Sequence, residues 1–275
     1  MIDPRAALDA IGQLPDGEID IADAALQLAR VDAPSADWRA ARTHLSELAR
    51  DAVQASAQAP LDDVAAQAAI LTNLLVRRHG YEGDSATYND LANANLIHVI
   101  ERRLGLPVAL GVIWLHAAGA AGWDAYGIDF PGHFLIGLAG PGRKVVLDVF
   151  AGGIERDARH LRRLLKQVEG TNAELRPDLL RPMSRRAVLL RLQNNIRQRR
   201  LQAGDREGAL ACTQDMLRIA PDQAQLWREA ALMNQRLDHV GAALKCFEKF
   251  LELVPTGDAA TRIRSAMDEL RSRLN

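Results

Sequence analysis

Aromatic residues make up only 4% of this 275-residue chain, and its two cysteines occur without a CxxC pair. A sheet sandwich draws on aromatic and β-branched side chains, so their shortage beside abundant Ala and Leu points to helix-rich packing. Two isolated cysteines give neither a disulfide framework nor a zinc ribbon. His44, His79, His98, His160 and His239 lack metal-ligand spacing, and no Gly-rich phosphate loop stands out, so no metal or other cofactor is expected. A charge excess is missing too: 34 basic against 35 acidic side chains leave a net −1, which counts against nucleic acid as the partner of the whole molecule. Long hydrophobic runs are also absent. The most apolar stretch, 107–123, carries His116 and falls short of the roughly 18–20 residues of a membrane span. The opening MIDPRAALDAIGQLPDGEID has no apolar leader core. The expected location is the cytoplasm, away from membranes.

The length suits about two domains with a sizeable core. Charge is distributed unevenly along it. Residues 1–90 hold 7 basic and 15 acidic side chains, whereas residues 156–200 hold 13 basic and 4 acidic. Such asymmetry fits either two segments packed face to face or a basic face that meets an outside acidic partner. Helical spacing of the arginines around Leu189, Leu192 and Ile196 and the lack of interleaved aromatics favour a solvated helix face over single-strand binding.

The C-terminal third repeats. An offset of 34 aligns Leu192 with Leu226, Ala209 with Ala243, Leu210 with Leu244, Cys212 with Cys246, Leu217 with Leu251, Ile219 with Leu253 and Pro221 with Pro255. That is the period of the tetratricopeptide unit, a helix–turn–helix closed by proline. Segments 189–222 and 223–256 are expected to form two such units, with a final helix, Asp258 to Leu274, covering the exposed end. Equivalent cysteines on neighbouring repeats sit about one helix spacing apart, roughly 8–10 Å, too far for a disulfide. Both are expected to be small core residues.

Between Tyr88 and Gly153 the pattern changes. Asn93 to Arg103 has helical spacing, with Gly105 expected to stop it, and Pro107 suits the first turn of a second helix running to about Ala121. Three β-rich runs follow: 125–130, 133–138 and 144–150. The last two are expected to form a hairpin around Gly140–Pro141–Gly142. The order helix, helix, strand, strand, strand implies an α+β core. It puts Ala109 in the first turn of a buried helix, His133 at the start of a strand and Asp148 on the neighbouring strand, paired with it. A nucleophile at a helix start, a histidine base and an aspartate that fixes its tautomer form the Cys-His-Asp layout of papain-like and transglutaminase-like proteins. Here alanine occupies the nucleophile position. A buried Asp148 needs a partner, and His133 is the expected one. His116, about 10 Å further along the helix from Ala109, is expected to be a hydrogen-bonded core histidine. Arg102 and Arg103 either pair with Asp148 or Asp129 or lie on a solvated face.

The chain resembles the bacterial SirB family of transglutaminase-like proteins with C-terminal tetratricopeptide repeats. Five pieces carry the resemblance: Glu101-Arg102-Arg103, Gly105-Leu106-Pro107, Pro131-Gly132-His133-Phe134, Leu147-Asp148-Val149-Phe150 before Gly152-Gly153, and LLRLQNNIRQRRLQAGD from Leu189 to Asp205. Together they span roughly 60–256. The resemblance implies that His133 and Asp148 correspond to the transglutaminase His and Asp. It implies that Ala109 replaces the Cys, where related proteins often have Ser. Asn93 is kept, while Ala94 stands where the family tends to have Ser. The expected organisation is an N-terminal helical region, 1–60, packed on a transglutaminase-like domain, 61–180, followed by repeats, 185–275. The favoured expectation is a non-catalytic regulatory or protein-interaction factor binding a protein or peptide through its repeats. The alternative is a hydrolase or transferase acting on amide or ester bonds, with His133 as base, Asp148 as orienter and water, Ser85, Thr87 or Tyr88 as nucleophile.

Overall fold

Pro107 sets the first turn of a deeply buried helix, because its fixed φ suits a helix start and its missing N–H needs no partner there. The computed structural model describes residues 3–57 and 63–272. That helix, α6 (Pro107–Ala120), buries nine residues from Val108 to Ala118 and is apolar on all sides, as a helix enclosed by other elements must be. Around it lie α2 (Ile21–Asp32), α3 (Trp38–Ser56), α4 (Val64–Thr72) and α5 (Leu96–Arg102). Asp20, Asp37, Asp63 and Asn95 cap α2 to α5 by accepting from free backbone N–H groups of the first turn. Short β1 (Glu82–Gly83) and β2 (Leu104–Gly105) pair in parallel. Arg103, not Gly105, ends α5: it adopts the left-handed conformation at φ 62°. Its guanidinium lies 5.0 Å over the Tyr81 ring and donates to the Tyr81 hydroxyl at 2.8 Å, contacts that offset the steric cost.

A four-stranded antiparallel sheet, β3 (Asp124–Phe130), β4 (His133–Gly140), β5 (Arg143–Asp148) and β6 (Ile154–Glu155), covers one side of α6. Pro-Gly dipeptides make both of its tight hairpin turns. Phe130 pairs with His133 around Pro131–Gly132, and Gly140 pairs with Arg143 around Pro141–Gly142. Both glycines have φ near +70°, the conformation this turn requires. Side chains alternate between the sheet's faces. Phe134 points at α6, where Gly111 leaves room for its ring: a Cβ there would lie 2.2 Å from Phe134 Cε1. On the other face Ile128, Phe130 and Leu135 pack with Leu161 and Leu165 of α7 (Ala158–Glu169). These elements, with the first turns of α8 (Arg185–Gln202), form a compact unit of Leu14–Leu192.

The second unit comprises Met1–Gln13 with Gln193–Asn275. After α8 come α9 (Arg206–Ile219), α10 (Ala224–Arg236), α11 (Val240–Leu253) and α12 (Asp258–Ser272), the helix pairs and final helix that the 34-residue period predicts. The end of that last expected helix, Leu274, lies outside the described residues. Phe247, Phe250, Ile263, Met267 and Leu270 pack into one cluster. Cys212 is buried and Cys246 half-buried, both as free thiols, and burial raises the Cys246 pKa.

The expected division at residue 60 needs correcting. Helices α2 and α3 do belong with the core, but α1 (Pro4–Gly12) packs on α9 of the repeats. Leu8 is fully buried, Arg5 pairs with buried Asp215 at 3.2 Å, and Asp9 pairs with Arg218 at 2.7 Å. Gly12 permits this approach, since a Cβ would come within 2.0 Å of the Arg218 carbonyl oxygen. Backbone cannot yield to that overlap. Gly12→Ala is expected to release α1 from α9 at a cost of about 2 kcal/mol, the burial of one leucine. Hydrogen exchange checks it: amides of α1 lose protection while those of α6 keep theirs.

Among the described residues no helix is long and apolar enough to cross a membrane, and no group of three or more His, Cys, Asp or Glu is placed to hold a metal ion.

Candidate functional site

His133 opens β4 directly after the Pro131–Gly132 turn, so its side chain shares a face with its pairing partner Phe130. The two rings lie 6.5 Å apart. Continuing the β4–β5 register beyond Ile136–Leu147 sets Asp148 beside Leu135, on the same sheet face as His133 and diagonally removed from it. Ala109 lies elsewhere. It is 0% exposed on α6, which packs against the opposite face through Gly111 and Phe134. The sheet therefore brings His133 and Asp148 to one side and separates both from the expected nucleophile position.

The expected pairing of Asp148 with His133 is also replaced. Arg156 donates to Asp148 Oδ2 through Nη2 at 2.8 Å and Nε at 3.1 Å, a two-pronged grip that suits a planar guanidinium. Asp148 Oδ1 accepts from the Ala151 backbone N–H at 3.1 Å, and the Asp148 carbonyl accepts from Gly153 N–H at 2.9 Å. With these partners Asp148 clamps the turn between β5 and β6. No hydrogen bond links His133 and Asp148 among the described residues. The His133 carbonyl accepts from Arg191 at 2.9 Å, and Arg191 also pairs with Asp129.

Thr87 and Tyr88, both named as nucleophile candidates, make contacts of their own. Thr87 donates its hydroxyl to Asp84 at 2.5 Å. Tyr88, 43% exposed, meets the Phe150 ring edge-on at 5.7 Å. Ser85 is exposed. His116 is half-buried and donates through Nε2 to the Leu45 carbonyl at 2.9 Å, so it is hydrogen-bonded as expected but not enclosed in the core.

The sequence reading missed a tightly bonded polar cluster of this unit. Asp84, 4% exposed, accepts from the Thr87 hydroxyl and backbone N–H and from Arg102 Nη2 at 3.0 Å. These donors, the Thr87 hydroxyl foremost, then its N–H, hold the Asp84 pKa down to about 2 against the opposing effect of burial. Arg102 Nη1 donates to Asn93 Oδ1 at 3.0 Å, and Asn93 Nδ2 donates to the Thr87 carbonyl at 2.7 Å. The Asn93 carbonyl accepts from Leu106 N–H, and Asp84 N–H donates to the Gly105 carbonyl. The cluster thus fixes Leu106, the residue before α6. Arg102 neither pairs with Asp148 or Asp129 nor lies free on a solvated face. The signal available in the sequence was Asp84 followed three residues later by Thr87, the spacing of a side-chain-capped turn.

Residues 39–194 match the family model described as Transglutaminase-like superfamily, and residues 196–268 match one described as Tetratricopeptide repeat. The chain belongs to the transglutaminase-like superfamily. It is similar to the UPF0162 protein of Xylella fastidiosa strain Temecula1, 31% identical over 208 residues that cover 74% of this chain and 73% of that one. The UPF0162 protein of Xylella fastidiosa strain 9a5c is 28% identical over 271 residues, covering 95% and 94%. That of Pseudomonas aeruginosa is 29% identical over 272 residues, covering 98% and 97%. No solved structure matches the chain. This transglutaminase-like protein therefore joins an α+β core to all-helical repeats of a kind that commonly mediates protein–protein interaction.

Proposed function

We propose that this transglutaminase-like protein is a non-catalytic protein-interaction factor of the cytoplasm. Its core serves as a scaffold, and its repeats take a protein or peptide partner. The observation that carries the reading is the separation of Ala109 from His133 by the sheet. A base works only within hydrogen-bond reach of the proton it removes, directly or through one water. Two further features support it: Asp148 is committed to Arg156 and the β5–β6 turn, and both cysteines belong to the repeats. His133 and Asp148 are in this reading relics of a triad, kept for their structural contacts.

Restoring the missing residue tests it. In Ala109→Cys the thiol is enclosed as Ala109 is, so a maleimide reagent labels it at least about 100-fold more slowly in native than in urea-unfolded protein; opening the native core enough to expose it costs several kcal/mol. The variant is expected to hydrolyse p-nitrophenyl acetate no faster than wild type. Fast native labelling together with ester hydrolysis that disappears in Ala109→Cys/His133→Ala would return the protein to the hydrolases.

A further inference from the structure

The structure divides the basic segment 156–200 into two parts. Eight of its 13 cations carry an ion pair or hydrogen bond inside the chain, Arg156 to Asp148, Arg185 to the Ile19 carbonyl and Arg191 to Asp129 among them. Of the other five, Arg181 lies outside α7, and four lie on it: Arg159, Arg162, Arg163 and Lys166. All four are exposed, and among the described residues no hydrogen bond or ion pair reaches their side chains. They recur on α7 at i, i+3, i+4 and i+7, which places them on one face over about 10 Å of helix. Leu161 and Leu165 anchor the opposite face under the sheet. Four like charges this close repel one another, and among the described residues none of them is held in an ion pair.

We infer that this face of α7 docks a short acidic segment of a partner protein, roughly two helical turns long, whose carboxylates meet the four cations. The inference rests on the interaction-factor reading and names the chemistry of one partner. Four observations select a short acidic peptide among polyanions. Asp157 and Glu169 bracket the stripe at either end of α7. The unit that carries it, residues 14–192, holds 20 basic and 22 acidic side chains, so a long nucleic acid would run from the stripe onto like charge. No aromatic residue lies on α7 for a base to stack on. Insertion of α7 into a bilayer is opposed because Leu161 and Leu165 are buried in the core and Leu164 packs partly buried against the same cluster.

The experiment is a fluorescence-anisotropy titration of the full-length protein with a labelled oligoglutamate peptide. Two charge reversals are compared: Arg162→Glu/Arg163→Glu on the stripe, and Arg42→Glu/Arg50→Glu on α3, which changes net charge equally. The stripe variant is expected to bind at least about tenfold more weakly, while the α3 variant keeps wild-type affinity and added salt weakens binding. Circular dichroism confirms that both are folded, as exposed positions predict. No binding by wild type, equal loss in both variants, or tighter stripe-dependent binding of a single-stranded oligonucleotide or of phosphatidylserine vesicles would each overturn the inference. None of these results bears on ester hydrolysis, so the two readings fail separately.

Discussion

Gly153→Ala is expected to lower the melting temperature of the transglutaminase-like unit by roughly 5–15 °C, on a scale of about 2–4 °C per kcal/mol for a domain of this size. Two effects add at this position. Gly153 has φ +75°, a conformation that costs an L-residue about 1–2 kcal/mol. A Cβ there would lie 2.5 Å from Trp114 Cη2 and 2.8 Å from Thr72 Oγ1. Trp114 is 1% exposed on α6 and its rigid ring has no free space to enter, so the overlap costs about a further 1–3 kcal/mol. The loop must lift, and with it goes the Gly153 N–H bond to the Asp148 carbonyl. Gly142→Ala separates the two effects, because Gly142 has φ +73° and open space around it. Its cost is the backbone part alone, about 1–2 kcal/mol. Thermal melts of the two variants check the argument. Equal shifts would show that the packing of Gly153 against Trp114 contributes nothing.

The same pair of glycines shows which features of this fold are local. Pro-Gly punctuation and two-residue alternation marked β3 to β5 in the sequence, and the observed strands differ from the expected ones by a few residues at their ends. The 34-residue period located the repeat helices because each unit restates its own pattern. What escaped were choices between partners far apart in the chain. A nine-residue amphipathic helix such as α1 announces an apolar face without naming the surface that covers it, and the covering surface proved to be α9, some 200 residues on. Asp148 was correctly seen to need a partner. A guanidinium eight residues away across a turn could supply both the charge and the two-pronged geometry that a neutral imidazole lacks, and strand alternation alone does not reveal that. Helix α5 ends at an arginine in the left-handed region, where propensity favours glycine, because Tyr81 holds the side chain in place. The position of Ala109 in the first turn of α6 was legible. Its separation from His133 was not, since that depends on which sheet face each strand turns toward the helix.

Asp84 gives the second large effect, together with Arg102. In Asp84→Asn one carboxylate oxygen becomes an amide NH2. The Oδ1 position accepts the Thr87 backbone N–H, and the Oδ2 position faces Arg102 Nη2. Either orientation therefore sets donor against donor inside a nearly closed site. Arg102→Ala leaves the carboxylate without its cation and Asn93 Oδ1 without its donor. Each variant is expected to be markedly less stable than wild type at neutral pH, and the double variant Asp84→Asn/Arg102→Ala less damaged than the sum of the two, because the groups act on one another. The pH dependence has a definite sign. Asp84 titrates at about 2 in the folded protein, below the value of about 3.9 for an unfolded chain. Its ionised form thus favours the folded state, fully so above about pH 4, and that contribution is lost as pH falls from there toward 2. The stability gap between wild type and Asp84→Asn, measured by urea unfolding, should accordingly narrow across this window and stay constant above it. A gap that holds unchanged down to the acid limit would mean that the neutral carboxyl serves equally well, and that the site orders the chain before α6 by shape and not by charge.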